Sequence, residues 1–185
     1  MTNSLIATYI VMSLLLSIIF GYKYYKTKRT GSLISTIIVG WSGFIYINHF
    51  LEVVPLRQMY LYDWIISTPL LVLSLTLLNN NERITSTGLI ASALQGLVIL
   101  TGFLATGFDI WFFTGTVLML GVFKLLWSMK RKGNELFYLL LFGTWSLYPF
   151  VWWYAGNNLE SVTVALVILP FISKHVFTTL KELKT

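Results

Sequence analysis

The sequence predicts an all-α membrane protein, a bundle of seven transmembrane helices. Three observations carry this expectation. The 185-residue chain is 56% hydrophobic and only 11% charged, with a mean hydropathy of +0.75, whereas a soluble domain carries about 25% charged residues. Seven apolar stretches fall near 4–22, 32–51, 58–79, 85–107, 110–129, 136–155 and 160–181, each close to the ~20 residues that a helix needs to cross a bilayer. The polar segments between them are short, and their positive charge alternates along the chain.

The first stretch, in "MTNSLIATYIVMSLLLSIIFGYKYYKTKR", is followed rather than preceded by basic residues and lacks a small-residue cleavage site. It is expected to stay in the membrane as a helix, not to be removed as a signal. The second contains "WSG" and ends near His49 and Glu52, which read as a solvated helix end. The third places Asp63, Ser67 and Ser74 at +4 and +11, on one helical face. The fourth and fifth are apolar apart from Lys124, about two turns from its span end and expected to snorkel. The sixth carries Trp145, Tyr148, Pro149 and Trp152 at i, i+3, i+4 and i+7. By itself such a stripe more often packs in a core or faces lipid. The seventh holds Lys174 and His175 inside "SVTVALVILPFISKHVFTTL". Pro69, Pro149 and Pro170 are mid-span prolines that kink helices and open space between them. Trp41, Trp111, Trp127 and Trp153 read as packing or interfacial-belt residues.

Loops one, three and five hold Lys23, Lys26, Lys28, Arg29, Arg83, Lys130, Arg131 and Lys132, while the even loops hold only Arg57. Lys181 and Lys184 fall on the odd side. The positive-inside rule then sets the N-terminus outside and the C-terminus in the cytoplasm, for a multi-pass protein of the cell membrane. The net charge of +6 is read as this bias and not as a nucleic-acid surface. With no repeat or linker, residues 1–185 read as a single domain. The chain has no cysteine and two histidines, so disulfides and thiolate chemistry are excluded and no metal centre is expected.

Of seven acidic residues, Glu52, Glu82, Asp109, Glu135, Glu160 and Glu182 lie at or near span ends, where water or headgroups solvate them. Asp63 alone is clearly inside a span, and Lys174 is its cationic counterpart. A charged lysine at the centre of a membrane helix costs ~2.5–3.5 kcal/mol on insertion scales. Two readings are open: the residues pair, or each snorkels to its nearer surface.

The chain resembles the microbial rhodopsins. "YLYDWIISTPLLVLSL" resembles their retinal-contacting third helix, "WSLYPFVWW" their sixth-helix clamp, and "LPFISKHVF" their seventh helix, whose lysine carries retinal. The subgroup it resembles is the xenorhodopsins, by "WSG" and by "LP" before the lysine. The resemblance implies that Lys174 binds all-trans retinal covalently as a protonated Schiff base, with Asp63 as counterion. Forming the imine needs a neutral amine, which desolvation favours. The matching pocket positions are Trp64, Ser67, Thr68, Leu71, Trp145, Tyr148, Pro149, Trp152 and Pro170, with Gly102 beside the ionone ring. A homo-oligomer, by resemblance a trimer, is also implied.

Departures from the outward-pump pattern carry the functional expectation. A second carboxylate four residues before the lysine is replaced by Pro170, and an arginine three residues before the counterion by Tyr60. Losing both keeps the charges matched, one against one, in a low-dielectric site. The proton donor eleven residues after the counterion is replaced by Ser74, which cannot reload the Schiff base. The expectation is a light-driven inward proton transporter, not an enzyme. Its Schiff-base proton leaves toward the cytoplasm past Thr178 to Glu182 and is replaced from the Asp63 side. Inward-pumping relatives carry a carboxylate seven residues after the lysine; here that place is Lys181. His175 points about 100° away from Lys174 and reads as packing more than relay. Two alternatives stay open: a sensory photoreceptor signalling through a separate transducer, and a small transporter or structural protein without retinal. The short tail "LKELKT" favours a pump over a sensor. Chloride pumping is disfavoured because Asp63 is present.

Overall fold

The computed structural model describes residues 2–105, 109–155 and 159–185, helical almost throughout and with no strand among them. Helices α1 Thr2–Thr27, α2 Thr30–Phe50, α3 Leu56–Asn79, α4 Ser86–Leu104, α5 Ile110–Ser128 and α6 Glu135–Ala155 are followed by a 3₁₀ turn, Leu159–Val162. The seventh, α7, runs Thr163–Lys184. Among the described residues, these seven are long and apolar enough to cross a membrane. A helix closes most of its backbone hydrogen bonds within itself, which a lipid environment requires. Parts of the fourth and sixth loops, "TGFD" and "AGNNLES", lie outside the described residues, as does the Glu160 side chain.

Two boundaries differ from the sequence expectation. The first loop shrinks to Lys28 and Arg29, because α1 continues past its apolar run to Thr27. Lys28 stops it in a left-handed conformation (φ 56°), with its N–H bonded to the Tyr24 carbonyl at 2.7 Å. At the C-terminal end, α7 extends to Lys184, so that Lys181 and Glu182 are helical and buried. Sharper starts have local causes: the side chains of Thr85 and Asp109 cap α4 and α5 by accepting the Gly88 and Phe112 N–H groups.

Consecutive helices pack side by side and α7 returns against α1, closing a ring. Lipid supplies no hydrophobic drive for this packing, so close fit decides it. Between α1 and α2 the fit is a seam of small residues: a Cβ on Gly43 would stand 2.8 Å from that of Ser13, and one on Gly40 2.9 Å from the Ser17 hydroxyl. Inside the ring are two large apolar clusters. One, toward the end bearing the basic loops, contains Ile38, Leu71, Leu75, Val122, Leu141 and Phe177. The other, toward the opposite end, contains Tyr9, Tyr46, Met59, Tyr60, Val162 and Leu166. Asp63 and Lys174 lie between these two clusters along α3 and α7.

Candidate functional site

Asp63 and Lys174 form an ion pair, with side chains 0% and 1% exposed, so neither snorkels. Lys174 Nζ meets Asp63 Oδ2, and its second partner is the Ser42 hydroxyl at 3.1 Å. Ser42 donates to Asp63 Oδ1 at 2.5 Å. Ser67, one turn along α3, donates to the Asp63 carbonyl at 2.6 Å and lies 3.2 Å from Oδ1. Both carboxylate oxygens are therefore engaged, the condition under which a buried charge is tolerated. Ser42 is the middle residue of "WSG", but its role needed the second helix to be placed against the third.

The lysine rides on a distorted stretch of helix. Pro170 cannot donate an N–H, and its ring crowds the carbonyl four residues back. That carbonyl, of Leu166, faces the Tyr46 hydroxyl at 3.5 Å. From Phe171 to Val176 the turn widens to π geometry, and Phe177 N–H reaches back to the Ile172 carbonyl. Wide turns of this kind mark functional positions. Thr178 closes the next turn by donating to the Lys174 carbonyl at 2.5 Å.

His175 points to α1 instead. The Ser13 hydroxyl donates to the Tyr9 carbonyl at 2.8 Å, so at 2.7 Å it accepts from His175 Nε2–H. The ring stacks on Phe171 and meets Tyr9 edge-on, and its Nδ1 is buried with no partner among the described residues. The structure thus places His175 away from the Asp63–Lys174 contacts.

An aromatic cavity of about 110 Å³ lies between α3, α4, α5 and α6, reached along α3 through Trp64, the residue after Asp63. Trp64, Thr68, Gly102, Trp145, Tyr148, Pro149 and Trp152, all among the positions the resemblance implied for a retinal pocket, line it, and so does Tyr60. Trp64 packs against Tyr148 and Trp152, with ring centres 4.7 and 6.2 Å apart. Four expected retinal-contacting residues are not on this wall: Lys174 pairs with Asp63, Ser67 binds Asp63, Leu71 sits in the apolar core, and Pro170 is buried on α7. Gln95, Phe112, Gly115, Thr116 and Met119 are among the further wall residues, and they were not legible because apolar α4 and α5 show no distinguishing pattern.

The basic end holds a second buried ion pair, which corrects the expectation of a solvated Glu182. Glu182 and Lys181 are 5% and 1% exposed and lie 3.0 Å apart. Lys181 donates to the Gly31 carbonyl at 2.8 Å and to the Ser74 hydroxyl at 3.0 Å. Glu182 accepts from Ser32 and Ser35 at 2.8 and 2.9 Å and pairs with Lys23 at 3.2 Å. Spacing held a clue: Lys181 is seven residues after Lys174 and shares its face. By contrast Glu52 is exposed, and His49 Nδ1 bonds the Val54 carbonyl at 2.8 Å, as a helix end should. Lys124, Trp111, Trp127 and Trp153 are exposed on the outer surface of the ring, and Trp41 is partly buried.

Residues 1–182 match the family described as bacteriorhodopsin-like protein. The chain belongs to the bacteriorhodopsin-like family. Comparison with curated proteins finds no match. Among solved structures, an inward H+ pump xenorhodopsin is 27% identical, with 97% of this chain and 91% of that one aligned at a TM-score of 0.81. A cyanorhodopsin from the cyanobacterium Calothrix sp. is 18% identical, covering 98% and 93% at 0.81. A light-driven proton pump from Leptosphaeria maculans is 18% identical, covering 99% and 95% at 0.81. The last two likenesses speak for the rhodopsin fold alone.

The residues fit the retinal that membership implies. A long apolar group attached at Lys174 needs an apolar slot, and the aromatic cavity provides one. A Cβ built on Gly102 meets nothing within 4 Å, so that glycine leaves the cavity open. The Trp64 and Trp145 indole N–H groups are buried without partners among the described residues.

Proposed function

We propose that this rhodopsin is a light-driven inward proton transporter of the xenorhodopsin type, with all-trans retinal held on Lys174 as a protonated Schiff base. The observation that carries the reading is the asymmetry around Lys174. On one side Asp63 is the paired carboxylate. Toward the basic end, the position of an outward pump's proton donor is Ser74, whose hydroxyl is engaged by a lysine. The likeness to an inward H+ pump, the only one of the three reported structures above 25% identity, supports the direction. The basic end is taken as cytoplasmic by its lysines and arginines.

When bound, retinal supplies the light-driven change of shape. The residues do the rest. Asp63, held by Ser42 and Ser67, stabilises the positive nitrogen of Lys174 in the dark. After illumination that nitrogen loses its proton toward the cytoplasmic end, where Glu182 is the first carboxylate beyond Thr178 on α7. The proton is replaced from the Asp63 side. Tyr60, buried one turn before Asp63 and with its hydroxyl beside Thr163, lines that approach. Trp64, Tyr148 and Trp152 hold the bound group in place and keep water out.

The test is the light-induced pH change of cells expressing the chain with added all-trans retinal, with and without a protonophore. Alkalinisation of the medium that the protonophore abolishes supports inward transport. Acidification reverses the direction. Coloured cells without a pH change favour a sensor coupled to a separate transducer, and colourless cells remove retinal from the reading. Replacing Asp63 by Asn is expected to shift the colour to the red, and an unchanged spectrum would reject Asp63 as counterion.

A further inference from the structure

The Lys181–Glu182 pair is more than a helix-end salt bridge. Lys181 stands two turns beyond Lys174 on the same face of α7, and its ammonium is shared by the Gly31 carbonyl, the Ser74 hydroxyl and Glu182. The Glu182 carboxylate is surrounded by two cations, Lys181 and Lys23, and by two hydroxyl donors, Ser32 and Ser35. All four contacts are made to the ionised carboxylate. Lys23 is the part of this cluster that reaches outward, its side chain 28% exposed. A second pair flanks the first: Arg29 and Glu82 are 2.8 Å apart, and Glu82 accepts the Gly31 N–H at 2.6 Å. Gly31 thus joins the two pairs through its own peptide groups. A neutral carboxyl in this setting would leave Lys181 buried against one hydroxyl and one carbonyl, with only the more distant Glu82, itself paired with Arg29, as counter-charge.

We propose that Lys181 is the positioning residue for proton release: it holds Glu182 ionised and vacant in the dark, and expels the proton that Glu182 receives. This rests on the inward reading above. The proton leaves the nitrogen of Lys174 with its N–H bond broken, and an O–H bond forms on Glu182. The Glu182 O–H then gives its proton to water past Lys23, restoring the carboxylate. An ammonium bonded to Ser74 also occupies the place where an outward pump keeps a proton reservoir. The same residue therefore closes the return path from the cytoplasm.

The experiment uses the full chain loaded with all-trans retinal in lipid vesicles. Flash-induced infrared difference spectra follow the protonated carboxyl stretch that Glu182→Gln removes, and a pH dye on the cytoplasmic face follows proton appearance. In the wild type and in Lys181→Arg the Glu182 band is expected to be brief. In Lys181→Met it should last about tenfold longer, the effect of one unit of proton affinity, and the dye signal should be delayed by the same factor. If Lys181→Met takes up no retinal, Lys181→Gln carries the same test, because it keeps a donor for Gly31 and Ser74 without the charge. A merely structural clip would change neither lifetime. Inward transport in the wild type with unchanged lifetimes in the charge-free variant would overturn the role of Lys181 alone. Outward or absent transport in the wild type would overturn the reading beneath it, and this proposal with it.

Discussion

Replacing Lys174 by Met in the retinal-free protein isolates the ion pair. Asp63 would keep the Ser42 donor but lose the one cation it pairs with among the described residues. A bare carboxylate there is desolvated without a counter-charge, and breaking a buried pair by removing one partner costs ~3–5 kcal/mol in general. The remaining serine donor offsets part of this, so the expected loss is about 2–4 kcal/mol. At about 2–4 °C per kcal/mol for a chain of this length, the melting temperature in lipid nanodiscs should fall by roughly 4–16 °C. Adding Asp63→Asn removes the unpaired charge and should recover most of the loss. A loss below about 1 kcal/mol, or a double variant no better than the single one, would refute the reasoning.

Three further outcomes are expected. Gly43→Val drives a Cβ to 2.8 Å from that of Ser13 and parts α1 from α2; overpacking of this kind costs about 1–3 kcal/mol, measurable as a lower melting temperature. Gly102→Leu fills the open end of the aromatic cavity and should lower retinal uptake, read as visible absorbance at fixed protein, while leaving the melting of the retinal-free chain near the wild-type value. Asn79→Leu breaks a buried polar chain in which Asn79 bonds Tyr138 and accepts from Asn134 at 2.7 Å. The orphaned hydroxyl and amide should cost about 1–3 kcal/mol in thermal unfolding, with no change in the colour of the loaded protein.

Seven spans were legible in the sequence because a bilayer makes one demand of every segment, about 20 apolar residues with their backbone bonds closed internally. Asp63 and Lys174 were legible for a related reason: two opposite charges deep in apolar helices have few ways to exist except together. The stripe Trp145, Tyr148, Pro149 and Trp152 announced a face, and the structure shows that it lines the cavity. Apart from Gly102, what α4 and α5 contribute to that cavity was not legible, since Gln95, Gly115 and Met119 have the same spacing on a lipid-facing helix as on a cavity wall.

The sharpest divide runs through the charged residues near span ends. Hydropathy treats Glu52 and Glu182 alike, as acids at the margin of a helix. Tertiary structure separates them. Glu52 ends α2 in solvent, while Glu182 is covered because α1 and α2 extend beside it and supply Lys23, Ser32 and Ser35. Likewise only the packing of α2 on α3 and α7 brings Ser42 to both Asp63 and Lys174, and only the rotation of α7 turns His175 to Ser13 on α1. Sequence by itself determined how many times the chain crosses and which two opposite charges lie inside the spans, because those follow from the cost of apolar surface in water and of charge in lipid. Which marginal charges are buried, and what holds them, was decided by neighbouring helices distant in the chain, because solvation at a span end depends on what stands beside it.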